Sequence, residues 1–382
     1  MVVFHRLLDL QKESRSRSLF LFGPRQTGKT FLLRRTFSGS PYYDLLHAEV
    51  FLRLSRRPQT LREELAAKRT HTRGPVIIDE IQKLPLLLDE VHAIIEETGA
   101  RFILTGSSTR KLRRGGANLL GGRARTCTLF PLVSREVPGF DLLRALTVGT
   151  IPSIYLSEEP EKDLAAYCGS YLQEEVQAEG LVRRIDNFSR FLQMAAVVNT
   201  ELINFESVAS DAAVPARTVR EYFTILNDTL VGTLLEPYAK SRKRKMVSTA
   251  KFYFFDVGVC NHLAERKILS PRSELFGKVL EHFIFTEIRA FLSYTGDGRK
   301  LSFWRTREGD EVDFLLGDET AVEVKASREV TSRHTSGLRC LAGEMKTKNR
   351  IVVSMDPSPR VMEGVTILPV GHFLERLWNG EF

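Results

Sequence analysis

Three short apolar runs in the first third of the chain, at residues 19–22, 76–78 and 102–104, carry no polar alternation. Unbroken runs of this length suit strands buried on both faces of a parallel sheet. Residues 42–46 and 126–130 add two more strand-like runs. A helical pattern opens at residue 29, and residues 49–69 and 86–98 read as further helices. Strand alternating with helix predicts an α/β fold on a parallel sheet.

The pattern then changes. Residues 141–185 are mostly helical and predict a small lid, with Gly149-Thr150-Ile151-Pro152 as its hinge. Three helical periods follow at residues 188–198, 205–212 and 215–226, the last opened by Pro215, which suits a first helical position. Short helix, tight turn and longer helix is the helix-turn-helix arrangement. The apolar runs at 230–237 and 251–256 supply two wing strands, which makes this segment a winged helix. A strongly apolar helix at 275–292 precedes strands at 301–305, 311–316, 321–326, 351–354 and 365–369 and a final helix at 371–378. The expected division is therefore a parallel-sheet α/β core over 1–140, a helical lid over 141–186, a winged helix over 187–257 and a C-terminal α/β domain over 258–382.

The chemistry begins at residues 23–30. Gly23, Pro24, Arg25, Gln26, Thr27, Gly28, Lys29 and Thr30 fit the phosphate-binding loop pattern, placed between a strand and a helix as that pattern requires. The glycines let several backbone N–H groups converge on one anion, and the helix N-terminus adds its positive end. Lys29 is expected to reach the β- and γ-phosphates of ATP and Thr30 to take Mg²⁺. Asp79 and Glu80 close the strand at 76–78, at the end where α/β sheets hold ligands. Asp79 is the second Mg²⁺ residue, directly or through water, and Glu80 the base for the attacking water. The third strand ends in hydroxyls, of which Ser107 is the first candidate to polarise that water, ahead of Thr105 and Ser108. Among the arginines of residues 110–123, Arg123 is the candidate to stabilise transition-state charge from a neighbouring subunit.

Net charge is +8 and the isoelectric point about 9.3, which fits a polyanionic partner, nucleic acid before an acidic membrane surface. Arg217 and Arg220 on the third middle helix, and Lys243, Arg244 and Lys245 at the hairpin tip, are the candidate DNA contacts. Cys127, Cys168, Cys260 and Cys340 show no metal-ligand spacing and read as reduced thiols of a cytoplasmic protein. No apolar run approaches the roughly 20 residues of a membrane span.

In the last third, Glu323 and Lys325 share one face of a strand by the period of two, with Asp313 across the hairpin and Glu281 on the preceding helix. This is the D…E-x-K pattern of restriction-endonuclease-like folds. The carboxylates, Asp313 and Glu323 foremost, would hold Mg²⁺ beside a phosphodiester. A fold that binds without cutting stands beside that reading.

Taken in order, residues 23–30, 77–83, 104–108, 120–123 and 311–325 resemble a prokaryotic AAA-type ATPase family. Its members join a P-loop ATPase, a winged helix and a C-terminal domain with a restriction-endonuclease-like core. The resemblance implies ATP and Mg²⁺ as cofactors and DNA engagement by a homo-oligomer, for example a hexameric ring. The expected function is a Mg²⁺-dependent ATPase acting on branched or broken DNA. Its rival is an ATP-dependent signalling or defence switch whose C-terminal domain binds a protein.

Overall fold

Burial follows the apolar runs closely: β1 (Ser18–Phe22), β3 (Val76–Asp79) and β4 (Phe102–Gly106) are buried at every position. The computed structural model describes residues 3–68, 74–107, 120–171, 185–238, 249–266 and 273–382. The chain divides into two compact units, residues 1–131 with 228–230, and residues 132–227 with 231–382.

In the first unit a single turn, α1 (Leu10–Glu13), leads into β1. There follow α2 (Lys29–Thr36), β2 (Tyr42–Asp44), α3 (Ala48–Arg56), α4 (Thr60–Lys68), β3, α5 (Leu87–Thr98), β4 and β5 (Ala124–Thr128). The sheet is parallel with order β2-β3-β4-β1-β5. β4 therefore lies between the strand that leads to the phosphate loop and the strand that ends in Asp79. Phe20, Phe22, Ile78, Phe102 and Leu104 form one core face with Leu87, Val91 and Ile94 of α5.

The second unit opens with the short helices α6 (Leu142–Val148), α7 (Pro152–Tyr155) and α8 (Pro160–Ala166). Then come α9 (Ile185–Val197), α10 (Phe205–Ala212) and α11 (Ala216–Asp228), and an antiparallel pair, β6 (Gly232–Leu235) and β7 (Lys251–Phe254). Asn204 caps α10 by accepting from the Glu206 and Ser207 N–H groups, which fixes where that helix starts. A T-shaped and tilted aromatic cluster of Phe188, Phe191, Tyr222, Phe223 and Phe252 joins α9, α11 and β7.

The segment at 149–152, expected as the hinge of the lid, packs closely against residues 256–258. The buried Asp256 carboxylate, which caps α12 (Val257–Leu263), also accepts the Thr150 N–H at 2.7 Å. A Cβ on Gly258 would lie 2.0 Å from the Val148 carbonyl oxygen. Backbones this close, tied by a buried carboxylate, pin the segment to α12.

The C-terminal part holds α13 (Glu274–Thr295) and a six-stranded sheet of order β12-β13-β11-β10-β9-β8. Its strands are β8 (Leu301–Arg305), β9 (Glu311–Leu316), β10 (Thr320–Lys325), β11 (Asn349–Ser354), β12 (Arg360–Met362) and β13 (Val365–Pro369). β8, β9 and β10 are antiparallel, and β10, β11 and β13 parallel. α14 (Ser336–Ala342) and α15 (Val370–Trp378) complete it.

Candidate nucleotide site and acidic cluster

The phosphate loop is built by backbone conformations that few residues adopt. Gly28 sits at φ +93° and Gln26 at φ +61°, turning successive N–H groups to one side just before α2 begins at Lys29. Gly23 has no room for a side chain, because a Cβ would stand 2.3 Å from the Leu129 carbonyl oxygen. Inside the loop, the Thr27 hydroxyl donates to the Pro24 carbonyl at 2.9 Å. The buried Lys29 ammonium donates to the Gly23 carbonyl at 2.7 Å and the Pro24 carbonyl at 3.0 Å.

Asp79 is the hub of the second half. Its Oδ2 accepts from the Thr30 hydroxyl at 2.8 Å and the Tyr42 hydroxyl at 2.5 Å, and its Oδ1 from the Thr105 hydroxyl. Thr30 and Asp79 thus bring two hard oxygen donors into contact, one from each half of the site, and this donor set fits Mg²⁺. Glu80 follows with φ +62°, a strained backbone for a non-glycine residue of the kind found at functional sites. Its N–H donates to the Thr105 hydroxyl at 3.0 Å, and its carboxylate accepts from the Gln82 amide. The same Gln82 nitrogen lies 3.5 Å from the Ser107 hydroxyl.

The structure therefore brings together Lys29, Thr30, Asp79, Glu80, Thr105 and Ser107. The Thr105 hydroxyl donates to the Asp79 carboxylate and accepts the Glu80 N–H, whereas among the described residues Ser107 reaches the Glu80 carboxylate through Gln82. Ser108 lies outside the described residues. Tyr42, Gln82 and Arg6 were not legible as site residues. Arg6 donates to the Thr27 carbonyl at 2.8 Å and to the Phe130 carbonyl at 2.5 Å, tying the loop to the end of β5. Burial and the bond to Asp79 push the Tyr42 phenol well above its ordinary range, so it stays a donor.

Arg123 stands elsewhere. It precedes β5, which pairs in parallel with β1 from Ser18↔Ala124, so it sits where the strands begin. The phosphate loop lies where they end, about five residues or roughly 16 Å along the strand. Arg123 pairs with Glu96 near the C-terminal end of α5. It has no route to the nucleotide loop of its own chain.

Arg217 and Arg220 lie on the outer face of α11, opposite its buried Val219, Tyr222, Phe223 and Leu226. Arg217 pairs with Glu221 at 3.5 Å, and Arg220 stacks 4.1 Å above the Phe205 ring. Exposed pairs of this kind contribute little to stability. Lys243, Arg244 and Lys245 lie outside the described residues.

In the C-terminal part Glu281, Asp313, Glu323 and Lys325 do converge. Glu323 Oε1 accepts from Lys325 at 2.6 Å, and Asp313 Oδ2 accepts the Val324 N–H at 2.8 Å. Two neighbours from β7 enter the same cluster. Tyr253 donates to Glu281 Oε1 at 2.6 Å, and Lys251 Nζ lies 3.1 Å from that oxygen and 3.7 Å from Asp313 Oδ1, and pairs with Glu311. Burial pushes Glu281 up to about 7 and Glu323 up to about 8. Burial also opposes charge on Lys251, but Glu281 and its neighbours outweigh it and hold the ammonium well above the usual lysine range. Asp313 and Glu323 were expected to hold Mg²⁺. As arranged they do not fit one, because an ammonium ion already stands among the carboxylates. Among the described residues no group of three or more His, Cys, Asp or Glu side chains is spaced to hold a metal.

The four cysteines carry no disulfide, and burial raises Cys168 and Cys260 to about 12, which makes both inert as nucleophiles. Among the described residues no helix is long and apolar enough to cross a membrane.

Residues 15–138 match a family described as AAA domain, residues 139–269 one described as a domain of unknown function (DUF8612), and residues 276–373 another (DUF4143). No curated protein matches the chain. Among solved structures the chain is similar to the Aeropyrum pernix ORC1 protein in complex with DNA, at 16% identity and a TM-score of 0.29, covering 69% of this chain and 93% of the other. It is also similar to a Signal Transduction ATPase with Numerous Domains protein with a tetratricopeptide repeat sensor from Pyrococcus horikoshii. There the identity is 15% and the TM-score 0.26, with 78% of this chain and 48% of the other covered.

Proposed function

We propose that this chain, whose residues 15–138 form an AAA-type P-loop ATPase domain, is a Mg²⁺-dependent ATPase that works as a homo-oligomer on DNA. The observation that carries the reading is the Thr30–Asp79 contact, with Lys29 on one side and Glu80 on the other. Lys29 and the loop N–H groups hold the terminal phosphates. Thr30 and Asp79 hold Mg²⁺, which when bound offsets the charge on the phosphate oxygens. Glu80 orients the attacking water and takes its proton, while Thr105 fixes the Glu80 backbone and the Asp79 carboxylate. Gln82 restrains the Glu80 carboxylate.

An oligomer is part of the reading because Arg123 stands at the wrong edge of its own sheet to meet its own nucleotide. DNA as partner is supported by the net charge of +8 and by the two exposed arginines on α11, in what we take to be a winged helix. The C-terminal part, taken as restriction-endonuclease-like, is given a binding rather than a cutting role, because Lys251 stands among its carboxylates.

The test is ATP turnover with and without forked or four-way DNA, over a series of salt concentrations. Stimulation that fades with salt, and fades again when Arg217, Arg220, Lys243, Arg244 and Lys245 become Ala, supports the reading. Turnover indifferent to DNA and to those changes overturns the DNA part and favours the protein-binding switch.

A further inference from the structure

Lysine is almost never fully buried unless paired, and Lys251 is buried with a side chain only 4% exposed. It belongs to β7, opposite Leu235 of β6, and a bridge to Leu202 flanks it on the other side. Neither neighbour needs a charge. What the ammonium meets instead comes from the C-terminal part: Glu281 of α13 at 3.1 Å, Asp313 of β9 at 3.7 Å, and Glu311. Tyr253, two residues on and on the same face of β7, closes the cluster by donating to Glu281 at 2.6 Å.

We propose that Lys251 is the resident cation of this acidic cluster, standing where a divalent ion would otherwise be held, so that the cluster takes up no divalent metal while β7 is seated. The carboxylates of a metal site are present, but their shared charge is spent on an ammonium and on docking β7 against the C-terminal sheet. The remaining donors point the same way. Glu323 Oε1 is engaged by Lys325, and its Oε2 is buried without a hydrogen-bond partner. An oxygen left alone in this way is a ligand in waiting, but a divalent ion shared between it and Asp313 would lie beside the Lys251 ammonium, which stands 3.7 Å from Asp313 Oδ1. A +2 ion and a buried ammonium cannot share one set of carboxylates without strong repulsion. The cluster is thus a metal-site framework closed by the protein's own cation, independently of whether the other unit hydrolyses ATP.

The experiment is Mn²⁺ titration of the full-length, nucleotide-free protein, read by electron paramagnetic resonance as free ion lost. The expected result is that wild type and Glu323→Gln give the same isotherm. Lys251→Met is expected to gain a site at least about tenfold tighter than any in wild type, a difference of about one pK-unit-equivalent of binding energy. That site is lost again in Lys251→Met/Glu323→Gln. A wild-type site that Glu323→Gln abolishes would overturn the proposal, as would a folded Lys251→Met protein without new affinity. Should Lys251→Met not fold, the comparison of wild type with Glu323→Gln decides alone, since equal isotherms support the proposal and a lost site overturns it.

Discussion

The Tyr42 hydroxyl donates to Asp79 Oδ2 at 2.5 Å, on the same oxygen that accepts from Thr30. β2 runs parallel to β3 with Tyr42 opposite Ile77, and it is this pairing that carries the phenol to the carboxylate. Tyr42→Phe removes one donor and keeps the ring. A hydrogen bond to a charged group contributes about 1.5–3 kcal/mol, so the expected outcome is a loss of thermal stability and a Mg²⁺ requirement changed by roughly tenfold, at the low end of that range. Turnover against Mg²⁺ concentration checks it; a requirement identical to wild type would remove Tyr42 from the site.

Glu80→Gln separates binding from chemistry. The amide keeps the side-chain shape but cannot take a proton, and general-base removal costs about 10²–10⁴-fold in rate. Fluorescent-nucleotide binding is expected to persist in Glu80→Gln and to be lost in Lys29→Ala. Parent-rate hydrolysis by Glu80→Gln would show that another group takes the proton.

Arg123→Ala and Lys29→Ala are each expected to be inactive, the first by up to about 10³-fold if its guanidinium meets a neighbour's transition state. Mixing the two proteins is expected to restore activity, because Lys29→Ala subunits still offer Arg123 to intact loops beside them. Mixtures as inactive as either parent would exclude a role across an interface.

Glu287 predicts a pH dependence of stability. It accepts from the Ser134 N–H at 2.7 Å, the Ser134 hydroxyl at 2.9 Å and the Trp378 indole at 2.7 Å. Burial nevertheless prevails and raises it to about 7. With the folded value above the unfolded one, its contribution is complete below the ordinary glutamate range and is lost as pH rises to about 7. At about 1.4 kcal/mol per pH unit the loss amounts to roughly 3 kcal/mol. Denaturant unfolding is expected to show Glu287→Gln gaining on wild type by that order between pH 4.5 and 7. A constant gap would mean that Glu287 is ionised throughout.

The extent to which the site could be read in advance follows from how local its causes are. Residues 23–30 are contiguous, and their glycines and lysine are dictated by one anion, so the loop was legible. Asp79 and Glu80 announced themselves by ending an apolar strand. Tyr42 did not, because its role depends on which strand lies beside β3, and strand order is not written in any local pattern. Gln82 lies within the 77–83 motif, but nothing local shows that its amide turns back to the Glu80 carboxylate. Lys251 was read only as the start of a wing strand; nothing nearby in sequence foretells that α13 and β9 will bring three carboxylates to it. The packing of residues 149–152 was hidden for the same reason, since the contact comes from Asp256, more than a hundred residues away.

β5 is a short rod with a different duty at each tip. Arg123 precedes its first residue, and beyond its last the Leu129 carbonyl abuts Gly23 too closely for even a methyl group. The length of this strand therefore fixes how far the Leu129 carbonyl reaches toward the turn at Gly23, and any residue inserted into β5 would press on that turn.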